Sequence, residues 1–170
     1  MLTERYTRPE KLRAEDDCGK FDCGEPELDE WLERYALISQ RSGMSTVFVS
    51  KAGQRVAGYY ALATGGVEQT FAPPRVVKGI GKYPVPVIVL ARLAVDRQDQ
   101  GDGLGRAILA DALRRVEAAA EEIGIRALLI HAKNQTALDF YMRHGEFEPS
   151  PTDPLHLFLL MKDLRKALNP

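Results

Sequence analysis

What the sequence lacks narrows it first. It has two cysteines in 170 residues, Cys18 and Cys23. Five residues apart, they cross-link only if the local turn cooperates. No second cysteine pair and no nearby histidine completes a zinc site. They read as reduced thiols of a cytoplasmic protein. Apolar runs long enough to span a membrane are missing; the longest are strand-sized. The start, Met1-Leu2-Thr3-Glu4-Arg5, has none of the apolar stretch of a signal peptide. Net charge is also scarce, −1 at neutral pH, so no global field draws the chain to nucleic acid. Internal repeats, low-complexity tracts and linkers are absent.

What is present fits one globular domain spanning residues 1–170, with 45% apolar and 28% charged residues. Charge is unevenly spread. Residues 31–97 carry nine Lys/Arg against three Asp/Glu. That basic middle is either an ordinary solvated surface or an attractor for a polyanion.

Periodicity predicts the elements. Leu12 to Ala14 reads as a short strand before the acidic turn Glu15-Asp16-Asp17. Pro26 opens a helix with Leu28, Trp31, Leu32, Tyr35 and Ile38 on its apolar face, ended by Gly43. Ser45–Ser50 and Arg55–Thr64 form a hairpin around Ala52-Gly53-Gln54. Residues 65–84, with four Gly and three Pro, read as a long loop. Val85–Val95 is a long strand interrupted only by Pro86 and Arg92. A main helix comes next, with Leu104, Ile108, Leu109, Ala112, Leu113, Val116, Ala120 and Ile123 as its stripe. Arg126–Ala132 is a strand, Gln135–Arg143 a short helix stopped by Gly145, and Leu155–Met161 the last strand. The tail from Lys162 forms one helical turn. The expectation is an α/β fold with a mixed, mostly antiparallel sheet and helices on both faces.

Between the long strand and the main helix lies Gln100-Gly101-Asp102-Gly103-Leu104-Gly105-Arg106. A glycine turn there aims backbone N–H groups and a helix N-terminus at one spot, which suits a phosphate. A dinucleotide fold places such a turn after its first strand, with an acid about twenty residues on. A phosphate-loop NTPase needs Gly-Lys-Ser/Thr. Neither pattern is met. The turn is a phosphate cradle of another kind or a plain turn.

A second motif, Asn134-x-x-Ala137-x-x-Phe140-Tyr141 with Gly145 after it, comes after the next strand. Together the two motifs resemble the GCN5-related N-acetyltransferases (GNAT), over about residues 44 to 161. Phe21 to Leu32, Val56 to Ala63, Pro86 to Asp96 and Pro149 to Leu157 are similar to one branch of them, the toxins of type II toxin–antitoxin pairs. The resemblance implies an enzyme that moves acetyl from acetyl-CoA to the free α-amine of aminoacyl-tRNA and stops translation. It also implies a ribbon-helix-helix antitoxin, operator DNA reached only through the antitoxin complex, and a homodimer.

The same resemblance assigns roles. Residues Gln100, Gly101, Asp102, Gly103, Leu104, Gly105 and Arg106 would bind the coenzyme pyrophosphate, with Asp102 turned to solvent because an acid repels it. Leu93, Ala94 and Val95 would pair with the pantetheine arm, and Asn134 and Phe140 would flank the thioester end. Tyr141 would protonate the leaving thiolate, and a phenol is a competent donor at neutral pH. No strong base is evident; His131 is the nearest candidate, then Glu33 and Asp96. Arg75, Lys78, Lys82, Arg92 and Arg97 are candidates for tRNA phosphates. Arg92 interrupts an apolar strand and must be paired or functional. The family reads Phe-Tyr-x-x-x-Gly-Phe, whereas here Glu146 stands between Gly145 and Phe147. The extra residue is expected to bulge the turn, changing the substrate edge or loosening Tyr141. Acetylation of a small amine or a protein amine, or acetyl-CoA binding without catalysis, are the alternatives.

Overall fold

The computed structural model describes residues 4–170. The strands are β1 (Glu10–Lys11), β2 (Thr46–Ala52), β3 (Arg55–Val67), β4 (Val85–Val95), β5 (Ala127–His131), β6 (Glu148–Pro149) and β7 (His156–Leu160). The helices are α1 (Pro26–Glu30), α2 (Ala36–Arg41), α3 (Pro74–Val77), α4 (Leu104–Glu122), α5 (Gln135–His144) and α6 (Met161–Leu168). One sheet has the order β1-β2-β3-β4-β5-β7-β6. β4 and β5 run parallel, whereas β1–β2, β2–β3, β5–β7 and β6–β7 are antiparallel. The mixed, mostly antiparallel sheet flanked by helices is therefore present. None of the described helices is long and apolar enough to cross a membrane.

The chain divides into two compact units. One holds the residues up to Ala63 together with Arg92–Ala112. Its core gathers Leu12, Phe21, Leu32, Ala36, Val47, Val49, Val56, Tyr59 and Ala61 around Ala94. The Tyr59 ring meets Phe21 edge-on at 5.5 Å and stacks on Trp31 at 6.1 Å. Its hydroxyl donates to the Leu28 carbonyl at 2.7 Å, so a buried aromatic keeps its polar end satisfied. The other unit holds Thr64–Ala91 and Leu113–Pro170. Its core is Ala72, Val76, Val85, Val87, Ala127, Leu129, Phe158 and Leu160.

Several expectations are corrected. The first strand is Glu10–Lys11, not Leu12–Ala14. The Asp16 carboxylate takes the Arg13 N–H at 2.8 Å, so the acidic turn starts sooner and Leu12 drops into the core. The helix from Pro26 is not uniform: Trp31–Tyr35 is a π-helical turn between α1 and α2. Its extra residue per turn shifts the phase of α2. Ala36 is then fully buried, while Tyr35 and Ile38 are 50% and 65% exposed. Gln40 also points inward, binding the Leu12 carbonyl and the Val47 N–H, each at 2.8 Å.

Residues 65–84 are not one loop. β3 runs on through Gly65 and Gly66, a 3-10 turn spans Gln69–Phe71, and Pro74 opens α3. Ile123 lies beyond the end of α4 and is 52% exposed, so it leaves the apolar stripe. The tail makes α6, eight residues rather than one turn, because Met161 and Leu164 are both buried. β6 has no sequence signal: it is two residues long and one of them is Pro149, which an edge strand tolerates.

Candidate active site

The glycine turn is built from β4 downward. The parallel ladder to β5 pairs Val87 to Leu90 with Ala127 to Ile130. β4 continues five residues beyond that ladder, through Leu93, Ala94 and Val95. An extended edge without a ladder offers backbone N–H and C=O groups to a ligand. After β4 the chain turns sharply. The Asp96 carboxylate caps a 3-10 turn, Arg97–Asp99, by accepting from Gln98 N–H at 3.1 Å, and it also accepts from Asp22 N–H at 3.2 Å. Asp96 is thus a structural cap rather than a base. The Gln100 amide donates back to the Val95 carbonyl at 2.8 Å and to the Cys23 carbonyl at 3.1 Å. Its side chain clasps the turn, which leaves the backbone to meet a ligand.

Gly101 and Gly103 have φ of +87° and +83°. A Cβ at either would touch nothing within 4 Å, so glycine is required by the backbone conformation and not by space. Ala107 N–H bonds the Gly103 carbonyl at 3.1 Å, which starts the helical ladder. The N–H groups before it belong to the unsatisfied first turn. Open space, orphan donors and the positive end of the 19-residue α4 fit a pyrophosphate. Arg106 is exposed in that first turn.

Beneath the turn lies a network that sequence reading missed. Asp99 is fully buried and receives both arms of Arg55, at 2.6 and 3.0 Å. The Arg55 hydrogen bonds hold its carboxyl below the usual aspartate range. The Tyr6 hydroxyl stands 2.9 Å from Asp99 and 3.0 Å from Asp102. Asp102 is exposed, as expected, and its carboxylate also meets Tyr6 and, at 3.3 Å, Arg5 of the N-terminal segment. Its partners lie 96 and 97 positions away in sequence, so no local pattern could have announced them.

The second motif is local. Asn134 caps α5, its side-chain oxygen accepting from Ala137 N–H at 3.0 Å. Phe140 and Tyr141 meet edge-on at 5.4 Å, and Phe140 also packs on His144 at 4.8 Å. Tyr141 is 3% exposed. Burial alone pushes its phenol well above the ordinary tyrosine value, which keeps it protonated. α5 ends at His144, and Glu146 is exposed while Phe147 is buried. Phe147 meets Tyr141 at 6.4 Å, rings perpendicular. The extra residue Glu146 is exposed at the turn, and Phe147 packs against the tyrosine.

The basic candidates separate. Arg75 is committed to Glu148 and Asp163, so its charge is already matched. Arg97 is exposed beside Asp22 at 3.3 Å. Lys78 and Lys82 are exposed. The Arg92 guanidinium lies 4.1 Å above the Trp31 ring, a cation–π contact. Burial lowers its pKa, partly countered by Tyr59. His131 stacks on its ladder partner His156 at 4.2 Å, and Glu33 is exposed on the π-helical turn.

Residues 43–145 match the acetyltransferase (GNAT) domain family. The chain is 50% identical over 163 residues to the tRNA-acetylating toxin of Mycobacterium tuberculosis (strain ATCC 25618 / H37Rv), covering 96% of this chain and 97% of that protein. Its structure is similar to that of AtaT complexed with acetyl-methionyl-tRNAfMet, with a TM-score of 0.86 and 29% identity, covering 96% and 99% of the two chains. It is also similar to a mutant AtaT toxin bound to the C-terminus of the antitoxin AtaR and acetyl-CoA, with a TM-score of 0.82, 28% identity and coverages of 97% and 99%. A match over more than half the chain, and half-identity along nearly all of it, mean that the protein belongs to the GNAT acetyltransferase family.

Proposed function

We propose that this protein is a toxin that transfers acetyl from acetyl-CoA to the α-amine of an aminoacyl-tRNA, acting as a single catalytic domain. The observation that carries this reading is the half-identity, over nearly the full length of both chains, to a tRNA-acetylating toxin. Acetyl-CoA supplies an activated acetyl thioester. The backbone of Gly101 to Gly105 holds its pyrophosphate, with Arg106 adding a charge-assisted contact, and the edge of Leu93 to Val95 takes the pantetheine arm. Asn134 fixes the start of α5 and Phe140 lines the helix beside Tyr141. Tyr141 keeps its proton on the hydroxyl oxygen and gives it to the departing sulfur.

The acceptor needs little help from a base. An α-amine has a pKa of about 7.7–8.0, so a useful neutral fraction exists near neutral pH. His131, held against His156, is not required for deprotonation in this scheme. Among the basic residues, Arg92 is the favoured phosphate contact because an apolar strand carries it and its guanidinium meets an indole ring rather than a carboxylate. The toxin is held in check by an antitoxin, of the ribbon-helix-helix type and carrying the operator DNA contact, and the toxin itself is a homodimer.

Purified protein incubated with radiolabelled acetyl-CoA and charged tRNA is expected to yield N-acetylaminoacyl-tRNA. Labelling of a polyamine or a peptide, with charged tRNA untouched, overturns the acceptor assignment.

A further inference from the structure

The acid inside the phosphate-binding turn needs an explanation. Asp102 lies between the two positive-φ glycines, Gly101 and Gly103, where its charge opposes any anion the turn receives. Its side chain is 44% exposed. Three groups face it or its neighbour. Arg5 reaches Asp102 at 3.3 Å and Asp99 at 3.6 Å. The Arg5 guanidinium also sits 5.4 Å from the Tyr6 ring centroid. Arg55 is spent on Asp99. Tyr6 is 7% exposed, and its single O–H stands between the two carboxylates at 2.9 and 3.0 Å.

Asp99 already has both arms of Arg55. Among the described residues, Asp102 is met by Tyr6 and Arg5. A shared phenolic proton thus ties the exposed carboxylate of the turn to a buried, fully compensated one. We propose that Tyr6, with Arg5, latches Asp102 away from the glycine turn and is a positioning residue for pyrophosphate binding. The inference rests on the reading of acetyl-CoA as the donor. It gives Arg5 and Tyr6 a part in coenzyme affinity through Asp102.

Freed from Tyr6, the Asp102 carboxylate swings within several ångströms of the pyrophosphate. A like charge at that range costs on the order of five- to tenfold in affinity. The test is acetyl transfer to charged tRNA by the full chain, with acetyl-CoA and with S-acetylpantetheine, which lacks the pyrophosphate. Tyr6→Phe is expected to raise the KM for acetyl-CoA about five- to tenfold with kcat held, and to leave the KM for S-acetylpantetheine unchanged. Adding Asp102→Asn is expected to restore the acetyl-CoA KM. Unchanged acetyl-CoA kinetics in Tyr6→Phe overturns the latch while leaving the donor assignment standing. So does an equal loss for both donors, or a loss that Asp102→Asn fails to rescue. A wild-type protein that binds no acetyl-CoA overturns the latch and the donor assignment together.

Discussion

The Phe147 ring closes over Gly145 so tightly that a Cβ there would stand 2.5 Å from Phe147 Cε2. The backbone at Gly145, φ −173°, accepts any residue, so glycine is required here by space alone. Gly145→Ala must push the ring aside, and that ring is the edge-on neighbour of Tyr141. Overpacking of this kind costs about 1–3 kcal/mol. A lower Tm and a lower kcat are expected together, measured by calorimetry and by tRNA acetylation. A variant as stable and as active as wild type refutes the coupling between Phe147 and Tyr141.

Tyr141→Phe removes the proposed proton donor and keeps the ring. We expect kcat to fall by about 10²–10⁴-fold, with the KM for acetyl-CoA unchanged and Tm near that of wild type. Expression of the variant without antitoxin is expected to permit growth. Full toxicity removes Tyr141 from the chemistry.

The pH profile depends on two groups. Burial raises the Tyr141 phenol above its ordinary value of about 10, so the proton donor stays loaded through the alkaline range. Activity is expected to rise with pH through the amine pKa of about 7.7–8.0 and then to hold level to about pH 10. A fall beginning near pH 9 assigns the limiting acid to another group.

Asp99 and Tyr6 set the pH dependence of stability. The folded-state carboxyl of Asp99 is depressed, first by its bonds to Arg55. Its contribution is therefore present above the ordinary aspartate value of about 3.9 and lost as pH falls below it. Tyr6 is raised to about 12, chiefly by burial. Its contribution is present below about 10 and lost as pH climbs toward 12. Asp99→Asn leaves Arg55 without its carboxylate and is expected to cost about 1.5–3 kcal/mol near neutral pH. The gap in denaturant midpoints between variant and wild type is expected to narrow as pH falls from 7 to 3. A gap that does not narrow assigns the loss to packing.

Arg92 and Arg75 should behave differently. Arg92→Ala is expected to raise the KM for charged tRNA and to flatten its salt dependence, since one phosphate contact is lost. Arg75, held by Glu148 and Asp163, is expected to change neither when replaced by alanine. Equal effects on tRNA affinity from both substitutions mean that the two arginines share one electrostatic surface.

Some of this was legible in the sequence because it is local. The order of strands and helices, the strand from Val85 to Val95 and the hairpin around Gly53 come from periodicity and turn residues within a few positions of one another. The same holds for the glycine turn and for the cap at Asn134, whose partner is three residues away. Even the departure at Glu146 was visible, as one residue too many. Its consequence was not, because that depends on where the Phe147 ring finds room.

Tertiary structure decided the rest. The π-helical turn at Trp31–Tyr35 trades Tyr35 for Ala36 on the buried face, a choice made by packing against which local propensity is weak. Arg75 and Arg92 are the same residue type in the same basic segment, yet one meets two carboxylates and the other an indole ring. Asp102 looks out of place in a glycine turn suited to a phosphate until Tyr6 arrives from 96 positions away. A chain can specify its own backbone turns from neighbouring residues. The charge state and direction of a side chain belong to whatever the fold brings beside it.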